Sequence, residues 1–368
     1  MGDWITESEI LSRVPNALGE DHYKEPLRIL LQDLNHNLKP NLLFKKILRS
    51  IIVNFLKTRS RIYEYTKGKV LPEPAKPIII IGLPRSGTTY LYNLLNQDSR
   101  FRGPLFYESF YPLIANDISF ISDKVRLLKA RIREFQYRLF MPKAYNLHAI
   151  TARSPEECVW LTAIDFKSHL MSFMAELTKY PRYISECDFT SAYIWHKRFL
   201  QVLETQQRPD FWLLKNPWHS DRISDMLVAY PDAQFIHLHR DFSPTLSSMC
   251  NLVYESQRLI SPTVDKKKLG KCILNTCLRG KKKYDEQRRK IAAERFIDVN
   301  FQDLVDRPND VLKSIYKKMD IPSPDFCLHE IDKDVNEKKF KSKNNKQYPL
   351  HEFGLSDTDI DRLIHSDV

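Results

Sequence analysis

The sequence predicts an α/β protein with a P-loop-type parallel sheet flanked by helices, and three observations lead to that prediction. Four consecutive isoleucines, Ile78 to Ile81, are typical of a short strand buried on both faces. A loop bounded by Gly82 and Gly87 follows, and then an apolar run with helical spacing. After residue 206, strand patterns alternate with helix patterns, as they do in a parallel sheet with helical crossovers.

Residues 1–70 are predicted to form a helical N-terminal region. Apolar residues recur at three-to-four spacing in residues 23–38 and 42–65, and a shorter helical piece covers residues 8–14. The segment 42–56 is amphipathic and basic, which is compatible with a membrane-surface helix. A helix packed on the body of the protein is the preferred interpretation.

Residues 104–206 are the longest stretch without a convincing strand. Helical patterns cover residues 125–141, 155–177 and 184–206, and the second of these begins with serine, proline and two glutamates. A helical block inserted between strands of a sheet predicts a substrate lid. The whole chain, residues 1–368, is predicted to be one domain.

The remaining strands are predicted from short apolar runs. They cover residues 211–215, 234–239 and 295–301, separated by a helix that ends at Tyr230, one that starts at Ser243 or Pro244, and a charged helical region at 256–294. A last helix is predicted at 310–319. Ligands of such sheets bind beyond the carboxyl ends of the strands.

The loop after the first strand has the chemistry of an anion site. Gly82 and Gly87 match the frame of a nucleotide P-loop, but Thr88 stands where that motif needs lysine. This argues against an ordinary ATPase or kinase. Backbone N–H groups and the helix N-terminus still favour an anion there. Four side chains of the loop can help to hold a phosphate: Arg85, Ser86, Thr88 and Thr89.

Two further strand ends carry cationic or hydroxyl groups. Lys215 ends one predicted strand, and Arg240 follows another, eight residues before Ser248. A second cationic site apart from the first loop implies a ligand with two separated anionic groups. The alternative for Arg240 is a salt bridge to Asp241 or to another carboxylate.

Composition excludes several other classes of protein. The formal net charge is +11, yet no nucleic-acid-binding signature accompanies it, so we favour a small polyanionic ligand and expect no nucleic-acid partner. The six cysteines include no Cys-x-x-Cys pair, and no metal site is expected. No signal peptide and no membrane span of about 18 apolar residues is recognised, which predicts a cytoplasmic protein.

Residues 84–89, together with Arg240 and Ser248 after a strand, resemble the sulfotransferase family, which uses 3′-phosphoadenosine 5′-phosphosulfate. The first motif is similar to the family's 5′-phosphosulfate loop and the second to its 3′-phosphate site. Phe301 stands where many relatives carry tyrosine, and the missing hydroxyl predicts weaker binding of the donor. Supporting segments resemble the large bacterial-type branch, which is related to tyrosylprotein sulfotransferases: residues 154–158, 214–217, 298–304 and 351–355.

The resemblance also implies roles for individual residues. Lys215 would neutralise charge on the departing phosphate, and Arg85 would act on the same group. Glu108 resembles the base of the tyrosylprotein branch, and His148 is the second candidate. For Glu108 an exposed or salt-bridged carboxylate is an equal alternative, and for His148 a surface histidine is preferred. Basic residues near the C-terminus, of which Lys341 and Lys343 are candidates, would close over the 3′-phosphate.

These roles predict sulfuryl transfer to a hydroxyl of a small-molecule acceptor, without a metal. Three alternatives remain open: a nucleotide-binding module without turnover, a sulfotransferase acting on protein tyrosine or carbohydrate, and a metal-dependent P-loop phosphotransferase, which Thr88 disfavours. The sequence leaves the acceptor and the oligomeric state undetermined.

Overall fold

A five-stranded parallel sheet forms the centre of the protein, in the order β2-β3-β1-β4-β5. The structure is a computed structural model that describes residues 3–14, 17–112, 119–140, 142–147, 149–261, 263–324, 348–358 and 360. The strands are β1 (Pro77–Gly82), β2 (Phe101–Arg102), β3 (Phe211–Lys215), β4 (Gln234–His239) and β5 (Phe296–Asn300). The predicted α/β class with a parallel sheet is confirmed, although the short edge strand β2 was not predicted.

β1 is the central strand, and its side chains are buried on both faces. Ile79 and Ile81 pack into one hydrophobic cluster, and Ile78 and Ile80 pack into another on the opposite face. Successive side chains of a strand point to opposite faces, so a continuous isoleucine run supplies two cores at once. This is the physical reason for the unbroken apolar run that the sequence shows.

The register of the sheet brings three strand ends together. Ile80 of β1 is paired with Lys215 of β3, and Gly82 is paired with Leu238 of β4. The loop that follows β1 therefore emerges between the ends of its two neighbours. Because all pairs are parallel, the chain segments after β3, β1 and β4 meet at one edge of the sheet.

Three helices form the N-terminal region: α1 (Glu7–Leu11), α2 (Lys24–Asn37) and α3 (Leu42–Thr66). The predicted long helices at 23–38 and 42–65 are confirmed within one or two residues. One face of α3 is packed on the body of the protein and includes the fully buried Arg59, which pairs with Asp165 at 2.6 Å. The preferred interpretation of residues 42–56 is therefore correct, and they do not form a free membrane-surface helix.

The insertion is helical but more broken than predicted. Its helices are α5 (Phe106–Phe110), α6 (Ser119–Phe140), α7 (Pro142–Leu147), α8 (Val159–Thr162), α9 (Leu170–Met174), α10 (Lys179–Glu186) and α11 (Thr190–Glu204). The helix predicted at 155–177 is wrong, since Pro155 forms a β-bridge with Leu105 and the amide of Glu156 donates to the Pro104 carbonyl. The helix predicted at 184–206 is divided into α10 and α11.

The remaining helices flank the sheet: α4 (Thr88–Leu95), α12 (Ile223–Ala229), α13 (Phe242–Gln257), α14 (Lys266–Arg288), α15 (Phe301–Asp306) and α16 (Pro308–Lys318). The predicted charged region at 256–294 is mostly α14. Among the described residues, no helix combines the length and the apolar character needed to cross a membrane. The one-domain organisation and the lid function of residues 104–206 stay predictions.

Candidate functional site

The loop after β1 depends on unusual backbone angles. Gly82 and Gly87 have φ values of 151° and 101°, and Arg85 between them has a φ of 71°. A β-carbon at Gly82 would lie 2.7 Å from the Leu238 carbonyl oxygen, and one at Gly87 would lie 2.5 Å from the ring of Phe301. Glycine is therefore required at both ends of the loop. The left-handed φ of Arg85 is uncommon for a non-glycine residue, and such conformations recur at functional sites.

The hydroxyl groups of the loop differ in their surroundings. Ser86 is fully buried, and its Oγ has no hydrogen-bond partner among the described residues. A buried hydroxyl without a partner is uncommon in folded proteins. Thr88 is also buried at the start of α4, whereas Thr89 is exposed and accepts a hydrogen bond from Lys215. The Thr89 hydroxyl therefore lies beside the Lys215 ammonium group at the start of α4.

The two predicted anion motifs are in direct contact. The Arg85 Nε donates to the Ser248 Oγ at 3.1 Å, and the Arg240 Nη1 donates to the Arg85 carbonyl oxygen at 3.0 Å. The Arg240 guanidinium also lies 4.1 Å from the ring centre of Phe301. The structure brings Arg85, Arg240 and Ser248 into one cluster, although Arg85 is about 160 residues away from the other two in the sequence.

This cluster has a positive potential. Burial lowers the pKa of Arg85 and of Arg240, and the two guanidinium groups repel each other. Arginine stays protonated in proteins nonetheless, so both charges persist at neutral pH. Asp241 favours the charged form of Arg240, but the hydrogen bond of Arg240 goes to the Arg85 carbonyl and not to that carboxylate. An anionic ligand would relieve this crowding of positive charge.

Lys215 is buried at the end of β3, with a carboxylate partner that the sequence analysis did not assign to it. Its Nζ lies 2.6 Å from Glu157 Oε1 and 2.9 Å from Thr89 Oγ1, and the residue is only 1 % exposed. The amide of Cys158 donates to the Lys215 carbonyl oxygen at 2.9 Å, which fixes the segment that carries Glu157. Lys215 therefore does not reach out to solvent.

Glu157 connects the lysine with the arginine cluster. Its charge favours the protonated form of Arg85, so it acts electrostatically on both Lys215 and Arg85. Its side chain is 19 % exposed, compared with 2 % for that of Lys215. The serine, the proline and the two glutamates before an apolar run predicted a helix start here, but the next helix, α8, begins two residues after Glu157. The clue in the sequence was that a buried strand ending in lysine needs a counter-charge.

Glu108 is a buried ion-pair partner, which is one of the alternatives that the sequence left open. Its Oε1 lies 2.6 Å from Arg102 Nη2, and its Oε2 accepts the Leu105 amide at 2.9 Å, which caps α5. Burial raises the pKa of the Glu108 carboxyl, while the attraction of Arg102 opposes that shift. Both oxygens are thus engaged, and its role as a base stays a prediction. Three other predicted site residues, His148, Lys341 and Lys343, lie outside the described residues.

Two groups of side chains in the described part of the chain have an arrangement that a metal ion could use. Cys158, His196 and His219 are buried together, and His237, His239 and Asp298 lie together on the last two strands. His237 and His239 are both within ion-pair distance of Asp298. Neither group was predicted from the sequence, because each combines residues from more than one element of the fold. The expected absence of a metal therefore stays a prediction.

Comparison with known proteins gives one family. The sequence model described as the sulfotransferase family matches residues 77–325. Two curated relatives share 28 % identity over 259 residues, and both are named omega-hydroxy-beta-dihydromenaquinone-9 sulfotransferase Stf3, from Mycobacterium bovis and Mycobacterium tuberculosis. The alignment covers 68 % of this chain and 63 % of each relative, which is less than two thirds of their length.

Two solved structures have a similar fold. The sulfotransferase STF1 from Mycobacterium tuberculosis matches with a TM-score of 0.83 and 23 % identity, over 100 % of both chains. The sulfotransferase STF9 from Mycobacterium avium matches with a TM-score of 0.79 and 22 % identity, over 98 % of this chain and 95 % of that one. At these identities the likeness concerns the fold.

Proposed function

This chain belongs to the sulfotransferase family, and we propose that it transfers a sulfuryl group from 3′-phosphoadenosine 5′-phosphosulfate to a hydroxyl of a small-molecule acceptor. The observation that carries the proposal is the cluster of Arg85, Ser248 and Arg240 beside the buried Lys215. Arg85, Arg240 and Lys215 lie at or just after the ends of β1, β4 and β3, where ligands of parallel sheets bind. Ser248 reaches the cluster from helix α13.

The donor has two separated anionic groups, and the site has two sets of anion-binding groups. The 5′-phosphosulfate is held by the backbone and hydroxyl groups of residues 82–89 and by Arg85. The 3′-phosphate is held by Arg240 and Ser248. The hydrogen bonds between Arg85, Ser248 and Arg240 support this assignment, because they orient both sets of groups before the donor arrives.

The reaction is an in-line displacement at sulfur. The acceptor oxygen forms a bond to sulfur, and the bond between sulfur and the oxygen of the 5′-phosphate breaks. Lys215 stabilises the negative charge that develops on that leaving oxygen, and the Thr89 hydroxyl helps to position the lysine. The acceptor hydroxyl gives its proton to a carboxylate of the site.

Glu157 is the better placed of the two carboxylates for accepting that proton. It lies against Lys215, and part of its side chain is exposed, whereas the oxygens of Glu108 are bound by Arg102 and by a backbone amide. A general base must reach the proton that it removes. Glu108, the base expected from the sequence, remains the competing assignment.

The proposed acceptor is a lipid-soluble alcohol. The curated relatives are named for omega-hydroxy-beta-dihydromenaquinone-9, and an apolar acceptor suits an insertion in which Phe106, Phe110 and Trp160 pack on one another. Trp195 of the same insertion does not support an apolar acceptor, because it is buried in the core against the Arg59 guanidinium.

A thermal-shift experiment tests the two-part donor site. Saturating 3′-phosphoadenosine 5′-phosphate, at about 100 times its Kd, should stabilise the protein by about 2.7 kcal/mol and raise Tm by about 5 °C. Adenosine 5′-phosphate, which lacks the 3′ group, should have a much smaller effect. Arg240→Ala should abolish the difference between the two nucleotides. Equal stabilisation of the wild-type protein by both nucleotides would contradict the assignment, and turnover of labelled donor would exclude a non-catalytic binding module.

A further inference from the structure

The outer face of α6 carries an exposed apolar stripe. Val125, Leu128, Ile132, Phe135 and Leu139 lie at three-to-four spacing and are 40–64 % exposed. Six of the eleven exposed large hydrophobic residues in the described part of the chain belong to this one helix. Single exposed hydrophobic residues are normal, but a contiguous stripe marks an interaction site.

The opposite face of α6 is already packed on the protein. Ala130 is fully buried in a cluster with Phe106 and Phe110, and Leu127 and Tyr137 of the same helix pack against that cluster. The helix is thus apolar on both sides, which is typical of a helix that is covered on both sides. One side is covered by α5, and the stripe is the side that the fold leaves open.

Basic side chains border the stripe. The α6 sequence contains six basic and two acidic residues. Lys124, Lys129, Arg131 and Arg138 are exposed. The two acidic residues offset only part of this charge: Asp123 lies 3.4 Å from Arg126 of the same helix, and Glu134 accepts the Ala152 amide. An apolar stripe with basic margins complements an anionic membrane surface, where the apolar side chains insert and the basic ones meet headgroups.

We propose that α6 docks on an anionic lipid bilayer and lies parallel to its surface along the stripe. From Val125 to Leu139 the stripe is about 21 Å long, enough for a stable interfacial contact along one helix. The occupant is a lipid surface and not a second copy of the chain, because two copies would bring the same basic margins together.

The position of α6 links this surface to the proposed active site. Tyr137, on the packed side of the helix, interacts electrostatically with Arg85. Glu134 holds the amide of Ala152, five residues before Glu157. One side of α6 therefore adjoins the donor loop while the other adjoins the bilayer. This inference deepens the proposed function, on which it rests for the identity of the acceptor: a lipid alcohol would reach the site directly from the membrane.

Flotation of the purified protein with vesicles tests the docking without donor or acceptor. The protein should bind phosphatidylcholine vesicles that contain about one third phosphatidylglycerol, and bind those of pure phosphatidylcholine much more weakly. High salt should reduce the difference. Phe135→Glu combined with Leu139→Glu should lower binding at least about tenfold, because two charges would enter the apolar boundary.

One further variant separates the electrostatic contribution to vesicle binding from the apolar one, and another controls for non-specific effects. Lys129→Gln with Arg131→Gln should weaken binding to the anionic vesicles roughly fivefold per charge and leave binding to neutral ones unchanged. Val228→Glu, at an equally exposed position on α12, should change neither. All variants should keep the Tm of the wild-type protein without nucleotide, which shows that they are folded and keeps this test independent of the donor site.

Three results would overturn the proposal. The first is no binding of the wild-type protein to either kind of vesicle. The second is an equal loss of binding in Val228→Glu and in the α6 double variant. The third is a dimer, measured by light scattering, that dissociates when Phe135 and Leu139 are replaced by glutamate. That result would make the stripe an interface between copies of the chain.

Discussion

Replacing Glu157 by glutamine tests the pair that it forms with Lys215. The change keeps the shape of the side chain and removes the negative charge 2.6 Å from the lysine Nζ, which is almost fully buried. Removing one partner of a buried ion pair costs about 3–5 kcal/mol. Because Glu157 is partly exposed and the amide oxygen can still accept a hydrogen bond, we expect a loss of about 1–3 kcal/mol in the free energy of unfolding.

The effect on turnover should be larger than the effect on stability. Loss of a general base lowers kcat about 10²–10⁴-fold. Donor binding should persist, since Arg85, Arg240 and Ser248 are unchanged. The measurements are kcat and the acceptor KM at 25 °C, the Tm shift with 3′-phosphoadenosine 5′-phosphate, and the pH profile of kcat. A base produces an acidic limb in the wild-type profile that the variant lacks, whereas a residue that only positions Lys215 leaves that limb in place.

Glu108→Gln is the matched control. It disturbs the pair with Arg102 and the cap of α5, so it should lower stability while kcat per folded molecule stays within about tenfold of wild type. The assignment of Glu157 as the base would be contradicted if Glu157→Gln retained kcat within tenfold while Glu108→Gln lost a hundredfold or more. That outcome would restore Glu108 as the base.

Three more predictions follow from the structure. Gly87→Ala should weaken donor binding at least about tenfold in a thermal-shift titration, since alanine meets both a left-handed φ and the nearby ring, and unchanged affinity would contradict this. Arg59→Met should leave Asp165 buried without its partner and cost about 3–5 kcal/mol in urea unfolding, and a loss below 1 kcal/mol would be inconsistent with the pair. Burial lowers the pKa of His169 and of His196 to about 3. As the pH falls below about 6.5, these histidines are protonated in the unfolded chain but not in the folded protein. The free energy of unfolding should therefore be highest above that pH and decrease below it, by about 2 kcal/mol per histidine at pH 5. Urea midpoints that are equal at pH 7.5 and pH 5 would contradict this.

The parts of the fold that the sequence predicted correctly are those whose signals are local. The isoleucine run of β1 indicates burial, and the two glycines of the loop indicate unusual backbone angles. Both properties belong to single residues, so the residue type alone predicts them. The helix at 42–65 was also predicted within one residue, because its apolar spacing repeats over six turns.

The parts that the sequence did not predict depend on contacts between distant segments. A serine, a proline and two glutamates before an apolar run usually start a helix, but here the amides of Glu156 and Cys158 are taken by the carbonyls of Pro104 and Lys215. Local propensity is a weak preference, and tertiary hydrogen bonds readily exceed it. The same error concealed the role of Glu157, which an extended segment presents to Lys215.

The lysine that the loop lacks has a counterpart elsewhere in the sheet. In an ordinary P-loop the lysine follows the second glycine, and this chain has Thr88 at that position. The positive charge comes instead from Lys215, which the register places beside Ile80, two residues before the loop begins. Lys215 also binds Thr89, the residue after Thr88, so the charge approaches the start of α4 from the neighbouring strand. In the proposed site, a cation held by Glu157 and by a hydroxyl is fixed in one position, as stabilisation of a departing phosphate requires. In the proposed site, the departure from the P-loop pattern is therefore a change in where the cation originates, with Lys215 on the neighbouring strand in place of a lysine in the loop.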